Sequence, residues 1–339
     1  MRRVQAVLIA GGLGTRLRPL TLTRPKALLP LVNRPMVLHI LDRLPASVDE
    51  VILAANYRTE QLREFFAKQD VGRTVTIVRE KRRLGTGGCL KNLEDRLSGT
   101  FLAFNGDVIS SLAASDLLAA HRRLGGIGTI ALWEVADPSA FGVVALDGER
   151  ITKFVEKPPK EEAPSNLVNA GAYALEREVL AGIPKGEPAS LEVDVFPKVV
   201  RKGLHGFRFS GYWADAGTLE NFLRATEILL RTQGSEVSHR AKVLPTVRLN
   251  KPVAVAGDAM VEGEIGPVAV LGAGSVVRGR VSRSVLFDRA RVEEGATVSG
   301  CIVGEGATIG PRSTVSDSVI ADGAVVEAES EVVGERVKA

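Results

Sequence analysis

The sequence of 339 residues has only two cysteines, few aromatic residues and no long hydrophobic run. Cys89 and Cys301 lie far apart, so we expect two reduced, structural thiols, as in a cytosolic protein. No apolar run approaches membrane-spanning length. The apolar stretch after Arg2-Arg3 is short, is interrupted by Gln5 and runs into glycines, which is not typical of a signal peptide. We therefore expect a cytoplasmic protein that does not act at a membrane.

The chain also lacks a strong excess of one charge. Lys and Arg number 44 and Asp and Glu 40, which leaves a net charge of +4. A small positive charge fits anionic small substrates, and no aromatic-basic interleaving indicates nucleic-acid binding. The length allows two domains.

Acidic residues are missing from one part of the chain, since none occurs before Asp42. The cations that crowd the glycine-rich part of that region are Arg16, Arg18, Arg24, Lys26 and Arg34.

A glycine-rich segment follows the first apolar run, residues 4–10, which predicts a buried strand. Glycines directly after a strand let the backbone approach a ligand and offer N–H groups to phosphate oxygens. A Walker loop would need a lysine after these glycines, and the dinucleotide fingerprint would need a third glycine where Leu17 stands. Both are missing. Because the surroundings are cationic, the segment indicates a polyphosphate site rather than a solvated strand-to-helix turn.

Residues 11–26 resemble the signature GGxGTRLxPLT…PK of the sugar-1-phosphate nucleotidylyltransferases. Further motifs of that family match in the same order, so the resemblance covers nearly the whole chain. It implies a reaction in which a sugar-1-phosphate oxygen attacks the α-phosphorus of a nucleoside triphosphate and pyrophosphate leaves. The matching motifs include N-G-D at 105–107, E-K-P at 156–158, N-A-G at 169–171 and W-A-D at 213–215.

Apolar runs alternate with helical patterns up to Gln233, which predicts an α/β domain with a Rossmann-like, mainly parallel sheet over residues 1–233. Residues 234–250 have no clear period and are interpreted as a linker. The predicted strands are 4–10, 51–54, 75–78, 101–104, 127–133 and 141–146, and the predicted helices lie near 35–44, 60–68, 87–97, 115–124 and 218–230.

Residues 251–339 have a different composition, without Trp or Tyr, and contain a repeat. Three consecutive units, 284–300, 301–317 and 318–334, align with apolar residues six positions apart. This period predicts a parallel β-helix of about five coils, because each coil buries its side chains on the next. The pattern resembles the left-handed hexapeptide β-helix, and the shared register disfavours an antiparallel sandwich. The aligned triplets are Leu286, Val303 and Ile320; Val292, Ile309 and Val326; and Val298, Val315 and Val332.

The resemblance also implies roles for single residues. Two aspartates, Asp107 and Asp215, are implied as ligands of Mg²⁺, which needs few carboxylates when phosphates and waters complete its shell. Taken alone, Asp107 is as compatible with a turn, Asp215 with a helix cap near Thr218, and Glu156-Lys157 with an ordinary surface pair. The segment S-L-E-V-D-V-F-P at 190–197 is interpreted as support for a helix start. The implied catalytic residues are Arg16 and Lys26, the nucleotide-binding residues are Gly11, Gly12, Gly14, Thr15, Glu80, Gly85 and Thr86, and the sugar-phosphate-binding residues are Gly142, Glu156, Lys157 and Asn169.

The choice of base depends on Glu80, which begins the segment E-K-R-R-L-G-T-G-G that matches the base-recognition loop of the family. A carboxylate only accepts hydrogen bonds, so it suits the two donors of guanine. The alternative is an exposed glutamate partnered by the cations that follow it. The stretch 26–39 and the β-helix resemble mannose-1-phosphate guanylyltransferases, whereas Thr86-Gly87-Gly88 also occurs in heptose-phosphate enzymes. GTP and mannose-1-phosphate are therefore the first expectation, with a glucose-1-phosphate thymidylyl- or uridylyltransferase and a heptose-1-phosphate guanylyltransferase as alternatives.

Two further alternatives come from other classes of protein. Non-catalytic regulatory or scaffold subunits share this architecture but typically lose the catalytic charges, which are retained here. An acyltransferase activity in the β-helix would need a histidine base, and His239, the last histidine, precedes the repeats. We expect the β-helix to mediate homo-oligomerisation, with the catalytic residues confined to the first domain.

Overall fold

The computed structural model describes residues 4–339, and residues 1–3, including Arg2 and Arg3, lie outside the described part. The contacts of the chain define two compact units. The first comprises residues 4–13 and 39–213, and the second comprises residues 14–38 and 214–339. The signature segment from residue 14 onward therefore belongs to the unit that contains the predicted β-helix.

The first unit is built on one sheet of nine strands in the spatial order β3-β2-β1-β4-β8-β5-β9-β7-β6. In chain order, the strands are β1 (Gln5–Ile9), β2 (Glu50–Ala55), β3 (Thr74–Arg79), β4 (Thr100–Asn105), β5 (Gly128–Glu134), β6 (Gly142–Asp147), β7 (Arg150–Glu156), β8 (Leu167–Glu176) and β9 (Leu204–Arg208).

The sequence predicts a mainly parallel sheet, and the pairings among β1 to β4 are parallel. Strand β1 pairs in parallel with β2 and β4, and β2 pairs in parallel with β3. Beyond β4 the sheet is mixed, since β8 runs antiparallel to both β4 and β5, and β7 runs antiparallel to β6. Only two residues separate β6 from β7, and strands joined by so short a connection can only be antiparallel. The sequence pattern does not predict β7, β8 and β9.

Five of the six α-helices lie within about five residues of the predicted positions, and α5 lies in the segment interpreted as support for a helix start. The part of the chain that the structure describes, residues 4–339, contains no helix long and apolar enough to cross a membrane. The helices are α1 (Met36–Leu41), α2 (Thr59–Lys68), α3 (Gly85–Asn92), α4 (Ala114–Leu124), α5 (Phe196–Val199) and α6 (Leu219–Gln233), and a π-helical turn at Leu191–Val195 precedes α5.

The core of the first unit explains why the central strands are almost wholly apolar. Strand β1 buries four successive residues, which is typical of a strand covered on both faces. The largest buried side chains in this core include Phe101, Tyr173 and Phe196, each with no exposed surface. These packed strands end in the segments that carry the predicted site residues.

The second unit contains the predicted parallel β-helix, with three sheets of seven, six and five parallel strands. Val285 pairs with Ile302, and Ile302 with Val319, which confirms the register predicted from the 17-residue units. The first sheet contains Glu236–Val237, Val253–Val255, Ala269–Leu271, Ser284–Leu286, Ile302–Val303, Val319–Ile320 and Arg336–Val337. The second contains Lys242–Val243, Met260–Val261, Val276–Val277, Arg291–Val292, Thr308–Ile309 and Val325–Val326, and the third contains Glu264–Ile265, Arg280–Ser282, Thr297–Ser299, Thr314–Ser316 and Glu331–Val333.

The segment interpreted as a linker, 234–250, contributes strands to this stack. Glu236–Val237 pairs in parallel with Val253–Val255, and Lys242–Val243 pairs with Met260–Val261. These pairings place the first rungs of the β-helix before residue 251. Their side chains are more exposed than those of the middle coils, which explains why no hydrophobic period marks them.

Candidate active site

The first part of the site is the end of β1, where Gly11 lies against Glu80. A Cβ atom added to Gly11 would collide with Oε2 of Glu80, so a larger residue here would require the carboxylate to move. Glu80 follows β3, and its backbone N–H donates to the carbonyl of Ala55 at 2.9 Å. The glycine segment and the predicted base-recognition loop therefore meet at this carboxylate. Gly12 is exposed and has open space around it.

Glu80 is buried, with 4% of its surface exposed, which excludes the alternative of a solvated glutamate. Its Oε1 atom is buried and has no hydrogen-bond partner. Burial raises the pKa of the Glu80 carboxyl group, and a hydrogen bond with Cys89 partly offsets this. Burial also raises the pKa of the Cys89 thiol, which thus remains a neutral S–H group beside the carboxylate. Oε1 of Glu80 is therefore a buried hydrogen-bond acceptor that receives no hydrogen bond from the protein.

The start of α3 carries Gly85 and Thr86, and here the structure shows internal contacts. The backbone N–H groups of Gly87 and Gly88 donate to the carbonyl of Ala189 at 2.9 and 3.0 Å. The Thr86 hydroxyl donates to Oε2 of Glu192 at 2.7 Å. Thr86 therefore joins the loop of the predicted nucleotide site to the segment 190–197.

Glu192 is the centre of a hydrogen-bond network that sequence reasoning assigns only to a helix start. Its Oε2 also accepts from the Ser190 hydroxyl at 2.7 Å, and its Oε1 accepts from the Tyr173 hydroxyl at 3.2 Å. The Asn169 amide in turn donates to the Tyr173 hydroxyl at 2.9 Å. Tyr173, four residues after Asn169 on β8, belongs to none of the motifs recognised in the sequence, and the irregular pairing of β8 between these two residues removes the regular alternation that could have indicated it.

Gly142, Glu156 and Lys157 lie together at the ends of β6 and β7. A Cβ on Gly142 would stand 2.8 Å from Oε2 of Glu156, an atom that is buried and has no hydrogen-bond partner. Burial raises the pKa of the Glu156 carboxyl group, as does the charge of Glu192, whereas Lys157 lowers it. The Lys157 ammonium lies 3.7 Å from Oε1 of Glu156 and its side chain is 65% exposed. The pair thus combines a half-buried acceptor with an exposed cation.

The turn after β4 places Asn105 and Asp107 at the carboxyl end of a parallel strand, where open α/β sheets bind ligands. Oδ1 of Asn105 is buried without a hydrogen-bond partner, and its amide nitrogen faces Gly171. The indole of Trp213 donates to the carbonyl of Ala170 at 3.0 Å. This bond fixes the backbone that presents Asn169.

In the second unit, Gly14 begins the segment with the predicted phosphate-binding cations. Gly14 has φ 60°, and its carbonyl accepts hydrogen bonds from the Thr21 hydroxyl and the Leu17 N–H group, both at 2.9 Å. Thr15 starts a short 3-10 helix, and Lys26 starts another. The Cβ atom of Lys26 lies 3.4 Å from the position that a Cβ on Gly14 would take. The segment thus folds back so that Lys26 approaches the glycine.

Arg16 and Asp215, also in the second unit, converge on Gly217. A Cβ on Gly217 would stand 2.6 Å from Nη2 of Arg16 and 2.7 Å from Oδ1 of Asp215. The α6 helix is capped by Thr218, whose hydroxyl accepts from the N–H group of Asn221 at 3.2 Å. The cap function is therefore supplied by Thr218, and Asp215 is left beside the guanidinium.

The carboxylates offer the oxygen ligands that a hard divalent cation prefers. Within residues 4–339, no group of three or more His, Cys, Asp or Glu side chains has the arrangement of a metal site. In the first unit, the unpartnered oxygen of Asn105 adds a neutral oxygen ligand of the kind that such a cation accepts alongside phosphates and water.

Comparison with known proteins agrees with this architecture. Residues 5–232 match the model of the nucleotidyl transferase family, and residues 237–339 match a GlmU-like C-terminal hexapeptide model. The chain is 38% identical over 308 residues to a mannose-1-phosphate guanylyltransferase of Mycobacterium tuberculosis, which covers 87% of this chain and 83% of that protein. It is 33% identical over 325 residues to mannose-1-phosphate guanylyltransferase 1 of Arabidopsis thaliana, covering 91% and 88% of the two chains.

Solved structures show the same catalytic fold. HddC from Yersinia pseudotuberculosis superposes with a TM-score of 0.56 at 26% identity, covering 66% of this chain and 98% of that chain. A second structure of HddC, complexed with GMP-PN, gives a TM-score of 0.55. A UDP-glucose pyrophosphorylase complexed with UDP-glucose, at 21% identity and a TM-score of 0.59, covers 68% of this chain and 99% of that chain and shows the fold alone.

The fold and the comparisons define an enzyme with a Rossmann-like nucleotidyltransferase region followed by a hexapeptide β-helix. The chain belongs to the nucleotidyl transferase family. Enzymes of this family transfer a nucleotidyl group to a sugar-1-phosphate, and they generally use a divalent metal.

Proposed function

We propose that the protein transfers GMP from GTP to mannose-1-phosphate, forming GDP-mannose and pyrophosphate. The observation that carries the choice of base is the buried Glu80 carboxylate, whose Oε1 atom has no donor in the protein. The names of the relatives support the same reaction, since those in Mycobacterium tuberculosis and Arabidopsis thaliana are mannose-1-phosphate guanylyltransferases. The complex of HddC with GMP-PN is consistent with a guanine base in this fold.

Guanine presents N1–H and a 2-amino group on its Watson–Crick edge. A carboxylate accepts both hydrogen bonds, whereas uracil and thymine present an acceptor that would face the negative charge. A buried group left without its partner costs about 1–3 kcal/mol, so binding of the wrong base is penalised. Glu80 would therefore select GTP through its acceptor-only chemistry, and Gly11 would keep the carboxylate uncovered.

The phosphates would be bound by the cations of the signature segment. Arg16 would hold the departing pyrophosphate, and Lys26 would neutralise the reacting phosphates. The sugar-1-phosphate oxygen is already anionic at neutral pH, so the attack needs no general base. The backbone N–H groups of Gly11, Gly12, Gly14 and Thr15 would contribute further donors to the triphosphate.

We propose Mg²⁺ as the divalent metal, held by Asp107 and Asp215; that both carboxylates bind one ion stays a prediction of the motifs. When bound, the ion would neutralise phosphate charge. The sugar would be oriented by Glu156 and Asn169, while Lys157 would bind its phosphate. Glu192 would keep Asn169 in place through Tyr173, because the three side chains form one hydrogen-bond chain.

The experiment is a pyrophosphate-release assay of GTP, ATP, CTP, UTP and dTTP against mannose-, glucose-, galactose- and heptose-1-phosphate. We expect the highest kcat/KM for GTP with mannose-1-phosphate. A preference for heptose-1-phosphate would retain the base and change the sugar. A preference for dTTP or UTP with glucose-1-phosphate would overturn the assignment, and no release with any pair would indicate a regulatory subunit.

We also propose that the protein forms a homo-oligomer through its β-helix and that it acts in the cytoplasm. The β-helix exposes large apolar side chains, among them Val325 at 60% and Val333 at 57%. Exposed valines on strands favour burial against a partner. Light scattering of the full-length chain should give a mass above that of a monomer, and Val325→Lys with Val333→Lys should lower it. A monomeric wild type at micromolar concentration would contradict this proposal.

A further inference from the structure

The signature segment, residues 14–38, is bound to the β-helix by polar contacts far apart in sequence. Nη2 of Arg24 donates to Oε2 of Glu305 and to Oδ2 of Asp322, each at 2.8 Å. The Thr23 hydroxyl donates to the same Asp322 oxygen at 2.6 Å. The amide of Asn33 donates to the carbonyl of Leu271 at 3.0 Å. The family signature and the β-helix are thus joined within one unit.

The Arg24 contacts have the properties of a fixed anchor rather than of a surface ion pair. The Arg24 side chain is only 21% exposed, and its guanidinium lies over the ring of Phe287 at 5.5 Å from the centroid. The other carboxylate oxygen of Asp322 accepts from the N–H group of Glu305 at 2.8 Å, so the β-helix backbone orients the acceptor. Burial lowers the pKa of Arg24, but the bonds to Asp322 and Glu305 more than offset this and raise it. Arg24 therefore stays charged and bound to Glu305 and Asp322.

The anchor lies two residues before Lys26. Pro25 separates them, and its ring restricts the backbone to the observed φ of −66°. Because this dihedral angle cannot change freely, the position of the Arg24 backbone largely determines the position of the Lys26 backbone. The Cβ atom of Lys26 in turn lies 3.4 Å from the position that a Cβ on Gly14 would take, beside the turn that leads directly into Arg16. A shift at Arg24 would therefore displace both cations.

We propose that Arg24 is a positioning residue for nucleotidyl transfer: its bonds to Glu305 and Asp322 hold the segment that presents Arg16 and Lys26 to the phosphates. This inference rests on the proposed function, in which these two cations bind the reacting phosphates. It gives the β-helix a direct part in catalysis besides self-association. Misplacement of a phosphate-binding group by about 1 Å is enough to cost on the order of 10²-fold in rate.

The test compares full-length variants that remove either side of the anchor. Arg24→Met keeps the apolar contact with Phe287 and removes the charge, and Asp322→Asn removes the charge of the acceptor. The matched control is Arg312→Met, which breaks the exposed Arg312–Glu329 pair elsewhere on the β-helix. We expect kcat/KM for GTP to fall about 10- to 100-fold in the first two variants and to stay near wild type in the control.

The double variant Arg24→Met/Asp322→Asn should lose less activity than the two single losses combined, because both changes remove the shared contact between Arg24 and Asp322. Arg24→Lys should recover part of the activity. Wild-type kcat/KM in Arg24→Met, or full additivity in the double variant, would overturn the proposal.

Hydrogen exchange distinguishes this proposal from the proposed function, because it needs no substrate. The amides of Leu17, Leu22 and Leu28 are bonded within the signature segment and should exchange faster in Arg24→Met and Asp322→Asn. Amides of β1 should not change. If the wild type is inactive with every substrate pair, the proposed function fails. Hydrogen exchange alone then shows whether Arg24 holds the signature segment. Unchanged exchange in Arg24→Met would overturn this proposal in either case.

Discussion

The backbone of Gly11 lies so close to the carboxylate of Glu80 that a Cβ at Gly11 would collide with Oε2 unless Glu80 moved. Gly11→Ala should therefore displace Glu80 and weaken the binding of GTP about tenfold or more, in line with overpacking costs of about 1–3 kcal/mol. Isothermal titration with GTP measures the effect. The matched control is Gly182→Ala, since a Cβ there meets no neighbour within 4 Å. Equal affinity of the two variants would show that Glu80 is not held by this contact.

Asp107 and Asp215 are the predicted metal ligands. Asp107→Asn and Asp215→Asn should each lower kcat about 10²-fold or more, as loss of a preorganised charge does. Added Mg²⁺ should restore activity after removal of metal by a chelator in the wild type, but not in these variants at the same concentration. Asp116→Asn, on the exposed first turn of α4, serves as the control. Full activity of either variant, or of wild type in excess chelator, would contradict the assignment.

Gly217 is the point at which Arg16 and Asp215 approach each other. Because a methyl group there would stand within 2.7 Å of both side chains, Gly217→Ala should separate them and lower kcat/KM about tenfold or more. The unfolding midpoint should change little, since Arg16 is exposed and can move toward solvent. Steady-state kinetics measure kcat/KM, and a thermal melt of the same variant measures its stability. An unchanged kcat/KM would show that the close approach of Arg16 and Asp215 has no role in catalysis.

Glu156 should make stability depend on pH. Burial raises its pKa above the ordinary 4.5, so the ionised form is disfavoured in the folded state. Its contribution to stability is therefore most favourable below about pH 4.5 and is lost as pH rises through the folded-state pKa. Glu156→Gln should melt at a higher temperature than wild type at pH 7 and at nearly the same temperature at pH 4.5.

The control for this experiment is Glu149→Gln. Glu149 is exposed and its pKa is lowered by Arg123, so its removal should not stabilise the protein at pH 7. A Glu156→Gln variant that is less stable than wild type at pH 7 would refute the interpretation of this carboxylate as a costly, functional group.

The features that the sequence predicts are those encoded by local periodicity. The register of Leu286, Val303 and Ile320 follows directly from a repeat, because each coil pairs with the next at a fixed separation. The parallel half of the sheet is predicted for the same reason, since its apolar runs alternate with helices. Strands β7, β8 and β9 are missed because their connections lack that alternation.

The contacts that the sequence does not predict join distant segments. Thr86 and Glu192 are 106 residues apart, and no pattern around either residue indicates the other. Arg24 is counted among the cations around the glycine segment, but in the structure it binds Glu305 and Asp322. Composition near a motif therefore overestimates the number of cations available to phosphate, because long-range pairing is not visible in it.

The central claim is that the buried carboxylate of Glu80 selects guanine. The most direct measurement is a competition in which GTP and dTTP are present at equal concentrations with mannose-1-phosphate and the two products are quantified by mass spectrometry. The wild type should form mainly GDP-mannose, and Glu80→Gln should lower the ratio of GDP- to dTDP-mannose about 10- to 100-fold, the equivalent of about 1–3 kcal/mol. Glu187→Gln, whose side chain is 60% exposed, should leave the ratio unchanged. The same ratio in wild type and Glu80→Gln would contradict the account.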